Sequence, residues 1–145
     1  MLTCNTTDLS VTRLPEMLLG LAESCIREPL FKEKYTLNER SAESARVRDK
    51  YPARIPVICE RATRFSSSLP IDSKCKFLIP DEMTLGTFLV VIRRRLNLNE
   101  SQAIFMYVGD HILVPVSTHF GQIYDMHKDK DNFVYISYAS ESVFG

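Results

Sequence analysis

The sequence predicts an α+β fold, a mixed sheet of four strands crossed by one long amphipathic helix and preceded by N-terminal helical segments. Three observations predict it. Leu85, Phe88, Leu89, Val91, Ile92 and Leu96 recur at steps of three and four, the period of a helix with one buried stripe. Runs rich in β-branched and aromatic residues flank that helix, Ile55 to Cys59 before it and Phe133 to Tyr138 after it. The 145 residues, 45% hydrophobic and 25% charged, give one ordinary domain enough chain to bury a core without staples.

Residues 1–14 carry no periodicity. Pro15 then stands where a first helical turn tolerates it, ahead of Met17, Leu18, Leu21, Ala22 and Cys25 at helical spacing. Residues 31–50 predict a second, highly charged helical region, with Ser41 and Ser44 as cap candidates. It must stop before Tyr51-Pro52, because the residue preceding proline is pushed out of the helical region.

Arg54 to Glu60 predicts the first strand, and Pro56, which cannot donate to a ladder, places it at an edge-facing position or a bulge. Arg64 to Ser73 is polar and reads as a turn or loop. Lys74 to Ile79 alternates Lys76 and Leu78 against Phe77 and Ile79, a hairpin-partner strand. After Pro80, Asp81 or Thr84 caps the long helix. Ala103 to Val108 is a third strand closed by a Gly109-Asp110 turn, Phe120 to Met126 a short helix, and Phe133 to Tyr138 the last strand. Two hairpins packed across one helix match the β-grasp arrangement of ubiquitin, whose first and last strands lie side by side at the sheet centre.

Composition and motif content narrow the function. Eighteen basic residues balance eighteen acidic ones, so net charge does not point to nucleic acid. Cys4, Cys25, Cys59 and Cys75 are irregularly spaced and form no CxxC pair, which reads as free thiols in a reducing compartment. Leu14 to Ile26 is interrupted by Glu16 and Glu23 and falls short of the roughly 20 residues that span a bilayer. Phosphate-binding glycine loops, HExxH and GxSxG are all absent. His111, His119 and His127 are spaced by eight, which does not put a pair on one helix face, and Asp125, Asp129 and Asp131 lack the glycine and distal glutamate of a calcium loop. The sequence therefore predicts no catalytic residue, no metal site and no cofactor.

Three features remain open on residue chemistry alone. Arg93-Arg94-Arg95 closes the long helix, where cations complement the helix dipole, and could equally face a partner or lipid headgroups. The stripe around Leu18 and Leu21 covers the domain's own core or enters a membrane interface. The tail ends in Gly145, whose uncrowded carbonyl suits acyl transfer in a narrow active site, while a frayed terminus of no consequence is the plain alternative.

Four spaced segments bear on that choice: Lys50-Tyr51-Pro52-Ala53-Arg54-Ile55-Pro56-Val57-Ile58, Phe77-Leu78-Ile79-Pro80, Phe88 to Arg95, and Tyr138-Ala139-Ser140-Glu141-Ser142-Val143-Phe144-Gly145. In that order they resemble the autophagy-related protein eight family of GABARAP-like ubiquitin-like modifiers, over about Phe31 to Gly145. The resemblance implies a ubiquitin-like β-grasp with additional N-terminal helices. It divides the chain into a partly helical extension (1–30), a helical subdomain (31–50), the β-grasp domain (51–139) and a flexible tail (140–145) ending in the conjugated glycine.

It also implies a non-enzymatic modifier that is cytoplasmic, and on autophagosome membranes when lipidated. Gly145 would be activated as a thioester, passed to a conjugating enzyme and joined to phosphatidylethanolamine. Autophagy receptors would bind through short aromatic-x-x-aliphatic motifs along the second strand. By position, Glu43, Val47, Pro56, Ile58, Lys76, Leu78 and Phe133 match the family's aromatic pocket, and Phe77, Ile79, Pro80, Met83, Phe88 and Val91 its aliphatic one. Arg54 and Lys76 would attract the acidic residues flanking such peptides.

This chain departs from the family in four places. About twenty-six residues precede the usual start, and the loop around Ser66 to Pro70 is longer. Cys75 occupies a stretch that is often basic. The chain stops at Gly145, whereas family precursors carry further residues removed by a cysteine protease. The related autophagy-related protein twelve type, joined to a protein lysine, and an unconjugated peptide-binding module are the alternatives.

Overall fold

A computed structural model describes residues 29–62, 69–72 and 74–140; the helix expected around Leu14 to Ile26 and the tail with Gly145 lie outside them. Within the described residues the order is α1 (Phe31–Lys34), α2 (Leu37–Lys50), β1 (Arg54–Arg61), β2 (Lys76–Pro80), α3 (Leu85–Arg95), β3 (Phe105–Val108), α4 (Phe120–His127) and β4 (Val134–Ala139).

The four strands form one mixed sheet in the order β2-β1-β4-β3. β1 pairs antiparallel with β2 and parallel with β4, Ile58 opposite Tyr135, while β3 pairs antiparallel with β4. The first and last strands thus lie side by side at the centre, as the β-grasp expectation required. Pro56 is placed otherwise than its missing donor suggested, in a central strand whose register with β2 runs unbroken from Arg54 to Ile58. Cys59 N–H donates to Cys75 O at 2.8 Å, so by antiparallel alternation Pro56 falls at a non-hydrogen-bonded position toward β2. Its nitrogen points to the other flank, where the parallel ladder starts only at Val57. A proline is tolerated there because no ladder bond is lost.

Side-chain alternation splits the sheet into two faces. On one, Ile55, Val57, Phe77, Ile79, Val134 and Ile136 pack against Leu85, Phe88 and Ile92 of α3 and Phe120 and Ile123 of α4, all buried in one core. Phe88 sits between Phe77 and Phe120 in edge-to-face contact, centroids 5.4 Å apart in each pair. On the other face a smaller cluster joins Ile58 and Phe133 to Phe31 of α1.

The charged region 31–50 divides into two helices, because Thr36 caps the second. Its Oγ accepts from Glu39 N at 3.2 Å while Glu39 Oε2 accepts from Thr36 N at 2.7 Å, a reciprocal capping box. Ser41 and Ser44, the expected caps, lie inside α2; Ser44 is fully buried and its hydroxyl donates to the backbone oxygens of Ser41 and Asp131. Thr84, not Asp81, caps α3 by accepting from Thr87 N at 3.2 Å. α3 ends in a Schellman arrangement: Asn97 takes φ 54°, its N–H donates to Arg94 O, and Leu98 N–H donates to Arg93 O. Leu98 then packs on the core. Gly109 turns the chain after β3 at φ 56°, where a side chain would be strained. No described helix is long and apolar enough to cross a membrane.

Candidate functional site

The candidate peptide site is built on β2, the outermost strand on its side of the described sheet. Pro56 stands opposite Leu78 and Ile58 opposite Lys76, so these four side chains share the face covered by α1 and α2. Phe77 and Ile79 point to the other face, into the main core. One strand therefore borders two separate surfaces.

On the first surface Ile58 is fully buried, Phe133 and Val47 nearly so, and Pro56 is buried, while Glu43, Lys76 and Leu78 keep partial exposure. The Lys76 ammonium stands 5.5 Å from the Phe31 ring centroid and 5.8 Å from that of Tyr35, a cation over two aromatic faces. Glu43 pairs with Arg46, Nε to Oε1 at 2.8 Å. On the second surface Phe77, Ile79 and Phe88 are core, Met83 packs against them and Val91 is half-buried, whereas half-buried Pro80 falls by alternation on the face of Lys76 and Leu78, away from the side where position places it among the aliphatic-pocket residues. The residues with surface to offer are thus Glu43, Lys76, Leu78, Pro80, Met83 and Val91, and the buried members shape what lies beneath. Arg54, half-buried opposite Pro80, has its guanidinium 5.6 Å from the Tyr51 ring. The Ile58–Lys76 pair lies four positions further along β1, roughly 13 Å away. Two cations therefore bracket the strand pair at opposite ends.

Phe31 and Tyr35 are not among the residues matched by position to either pocket, although their i, i+4 spacing carries an aromatic pair signal. The tertiary fold brings them under Lys76, with Phe31 also edge-on to Phe133 at 5.4 Å. Of the three helix-ending arginines, Arg93 donates to Gln102 O and Asn99 O at 2.8 Å each, and Arg95 forms a two-point pair with Asp72. These two tie α3 to its neighbouring loops, which favours the structural reading of that run.

The two described cysteines, Cys59 and Cys75, are buried or half-buried thiols rather than activated nucleophiles. Burial pushes the Cys59 thiol well above its ordinary range and the Cys75 thiol up to about 11, nearby Glu60 adding to both. Burial likewise raises the Tyr138 hydroxyl to about 12, its oxygen lying 3.0 Å from Pro70 O. Among the described residues no three His, Cys, Asp or Glu side chains gather as metal ligands would.

Comparison with known proteins is consistent with this geometry. The family model described as "Autophagy protein Atg8 ubiquitin like" matches residues 39–145. The chain is 44% identical over 115 residues to autophagy-related protein 8 of Mycosarcoma maydis, covering 79% of this chain and 95% of that protein. It is 45% identical over 115 residues to autophagy-related protein 8d of Arabidopsis thaliana, covering 79% and 93%. The crystal structure of Trypanosoma brucei ATG8 superposes with a TM-score of 0.71 at 34% identity, over 82% of this chain and all of the other. A two-faced β-grasp sheet, N-terminal helices packed on one of its faces and a family match over residues 39–145 lead to one conclusion: the chain belongs to the Atg8 family of ubiquitin-like autophagy proteins.

Proposed function

We propose that this protein is a non-enzymatic modifier joined through Gly145 to phosphatidylethanolamine on autophagosomal membranes, where it recruits receptors carrying aromatic-x-x-aliphatic motifs. The observation that carries the reading is the family match, which spans residues 39–145 and so includes Gly145. Glycine is the residue whose carbonyl carbon is least screened by its own side chain, so thioester formation and aminolysis by ethanolamine meet little steric resistance there.

Receptor binding falls to β2 at the sheet border. A peptide laid along it pairs main chain with main chain, and alternation sends its aromatic residue toward Lys76, Leu78 and Phe31 and its aliphatic residue toward Met83 and Val91, with Pro80 at the end of the strand between them. Lys76 and Arg54 attract acidic flanking residues. In this reading 31–50 is the helical subdomain that walls the aromatic side, 51–139 the binding domain and 140–145 the reactive tail. Activating and conjugating enzymes act on the tail, and a cysteine protease releases it. The protein cycles between cytoplasm and autophagosome.

Mass spectrometry of the C-terminal peptide from starved cells tests the proposal. Gly145 should carry an ethanolamine lipid that phospholipase removes, and Gly145→Ala should abolish it. An isopeptide bond from Gly145 to a protein lysine, or an unmodified terminus throughout, overturns it.

A further inference from the structure

On the face covered by α1, the other flank of that helix borders a cavity of about 410 Å³. Glu60 and Ser137 are parallel partners on its floor, next to Tyr135, and Leu30 and Lys32 form the α1 side. The turn carrying Asp110 and the end of α4 close it. None of these residues belongs to the peptide site on β2.

The cavity's charges are unevenly engaged. Lys32 Nζ bonds Asp129 Oδ1 at 3.0 Å, and Arg61 Nη1 donates to Leu69 O at 2.9 Å, so both cations already have acceptors. His111 and His127 line it too. Glu60 receives one hydrogen bond, from Phe31 N–H to Oε2 at 2.8 Å, and no cation pairs with it within ion-pair distance among the described residues. Burial lifts its carboxyl above the ordinary range, against the pull of that N–H and of the more distant Lys34 and Lys32 charges, neither of which reaches it as an ion pair. A carboxylate half taken out of water beside an open cavity gains from any cation that reaches it. The wall already holds one cation: the Lys32 ammonium lies 4.4 Å from the centroid of the Tyr135 ring.

We propose that this cavity receives an arginine side chain from a protein partner, its guanidinium on Glu60 with Asp110 as the second anion. Arginine fits better than lysine, because a planar, weakly hydrated guanidinium offers paired donors in a fork that matches a carboxylate. The site is independent of conjugation and of the β2 peptide site, and it lets a partner grip both flanks of α1 at once.

The test is a nuclear magnetic resonance titration of the full chain with N-acetyl-Gly-Arg-Gly-amide and with its citrulline counterpart, which keeps the shape and loses the charge. Saturable shifts at the amides of Glu60, Asp110 and Ser137 are expected with the arginine peptide and none with citrulline. Glu60→Gln should weaken binding at least about fivefold, as loss of a charge-assisted pair does. Asp110→Asn, at an exposed turn, should weaken it about twofold and decides the matter should Glu60→Gln disturb the fold. Equal responses to both peptides, an unchanged response in both variants, or no saturable shift overturns the proposal.

Discussion

Arg40 Nε donates to Asp131 Oδ2 at 2.9 Å, joining α2 to the turn before β4 across 91 positions of sequence. Asp131 has no exposed surface, and its second oxygen accepts from Phe133 N at 2.9 Å while Tyr135 donates its hydroxyl to Oδ2. The helical layer that would wall the aromatic side of the proposed peptide site is therefore fastened by a buried ion pair as well as by the small Phe31, Ile58 and Phe133 cluster.

Replacing Asp131 with Asn leaves the Arg40 guanidinium, 11% exposed, without its counter-charge. The expected loss is about 3 kcal/mol, because removing one partner strands a buried charge. Urea unfolding measures it, and amide exchange should rise first in α2.

Asp72 gives a pH signature. Burial raises its carboxyl, but the Arg95 hydrogen bonds and charge outweigh that and hold it below the ordinary 3.8. A depressed carboxylate pKa contributes stability above the unfolded-state pKa and loses it as pH falls through the folded-state value. Asp72→Asn should therefore cost about 1 kcal/mol at pH 7 for this partly exposed pair. The gap to the parent should narrow as pH falls from the ordinary 3.8 through the lower folded-state value, in thermal or urea melts taken across pH.

The two surfaces bordered by β2 should separate by mutation. Leu78→Ala, at a half-buried position, should weaken a fluorescent aromatic-x-x-aliphatic peptide about tenfold with a small change in melting temperature. Phe88→Ala, at a fully buried position, should instead cost about 3–5 kcal/mol of stability, so that any lost binding reflects the fold. Equal stability losses in both variants would contradict this division.

Asn97 holds a left-handed C-cap at φ 54° that glycine adopts without a side-chain penalty. Asn97→Gly should raise stability by roughly 0.5 kcal/mol, read as a higher denaturant midpoint with an unchanged slope.

What the sequence determined by itself was the local periodic content. The three- and four-residue stripe from Leu85 to Leu96 and the alternation of Lys76 to Ile79 depend only on helix and strand geometry, and both elements formed where those periods placed them. The proline before Ala53 ended α2 for an equally local reason. Long-range relations were decided elsewhere. Pro56 is accommodated in a central strand because the parallel ladder begins one residue later, which depends on how β4 docks. The division of 31–50 at Thr36, the burial of Asp131 against Arg40 and the placement of Phe31 beneath Lys76 all involve choices among contacts. Periodicity tells which side of an element is apolar, but which apolar sides meet is fixed by packing density and by the need to satisfy every buried polar group. The tertiary structure alone makes that selection.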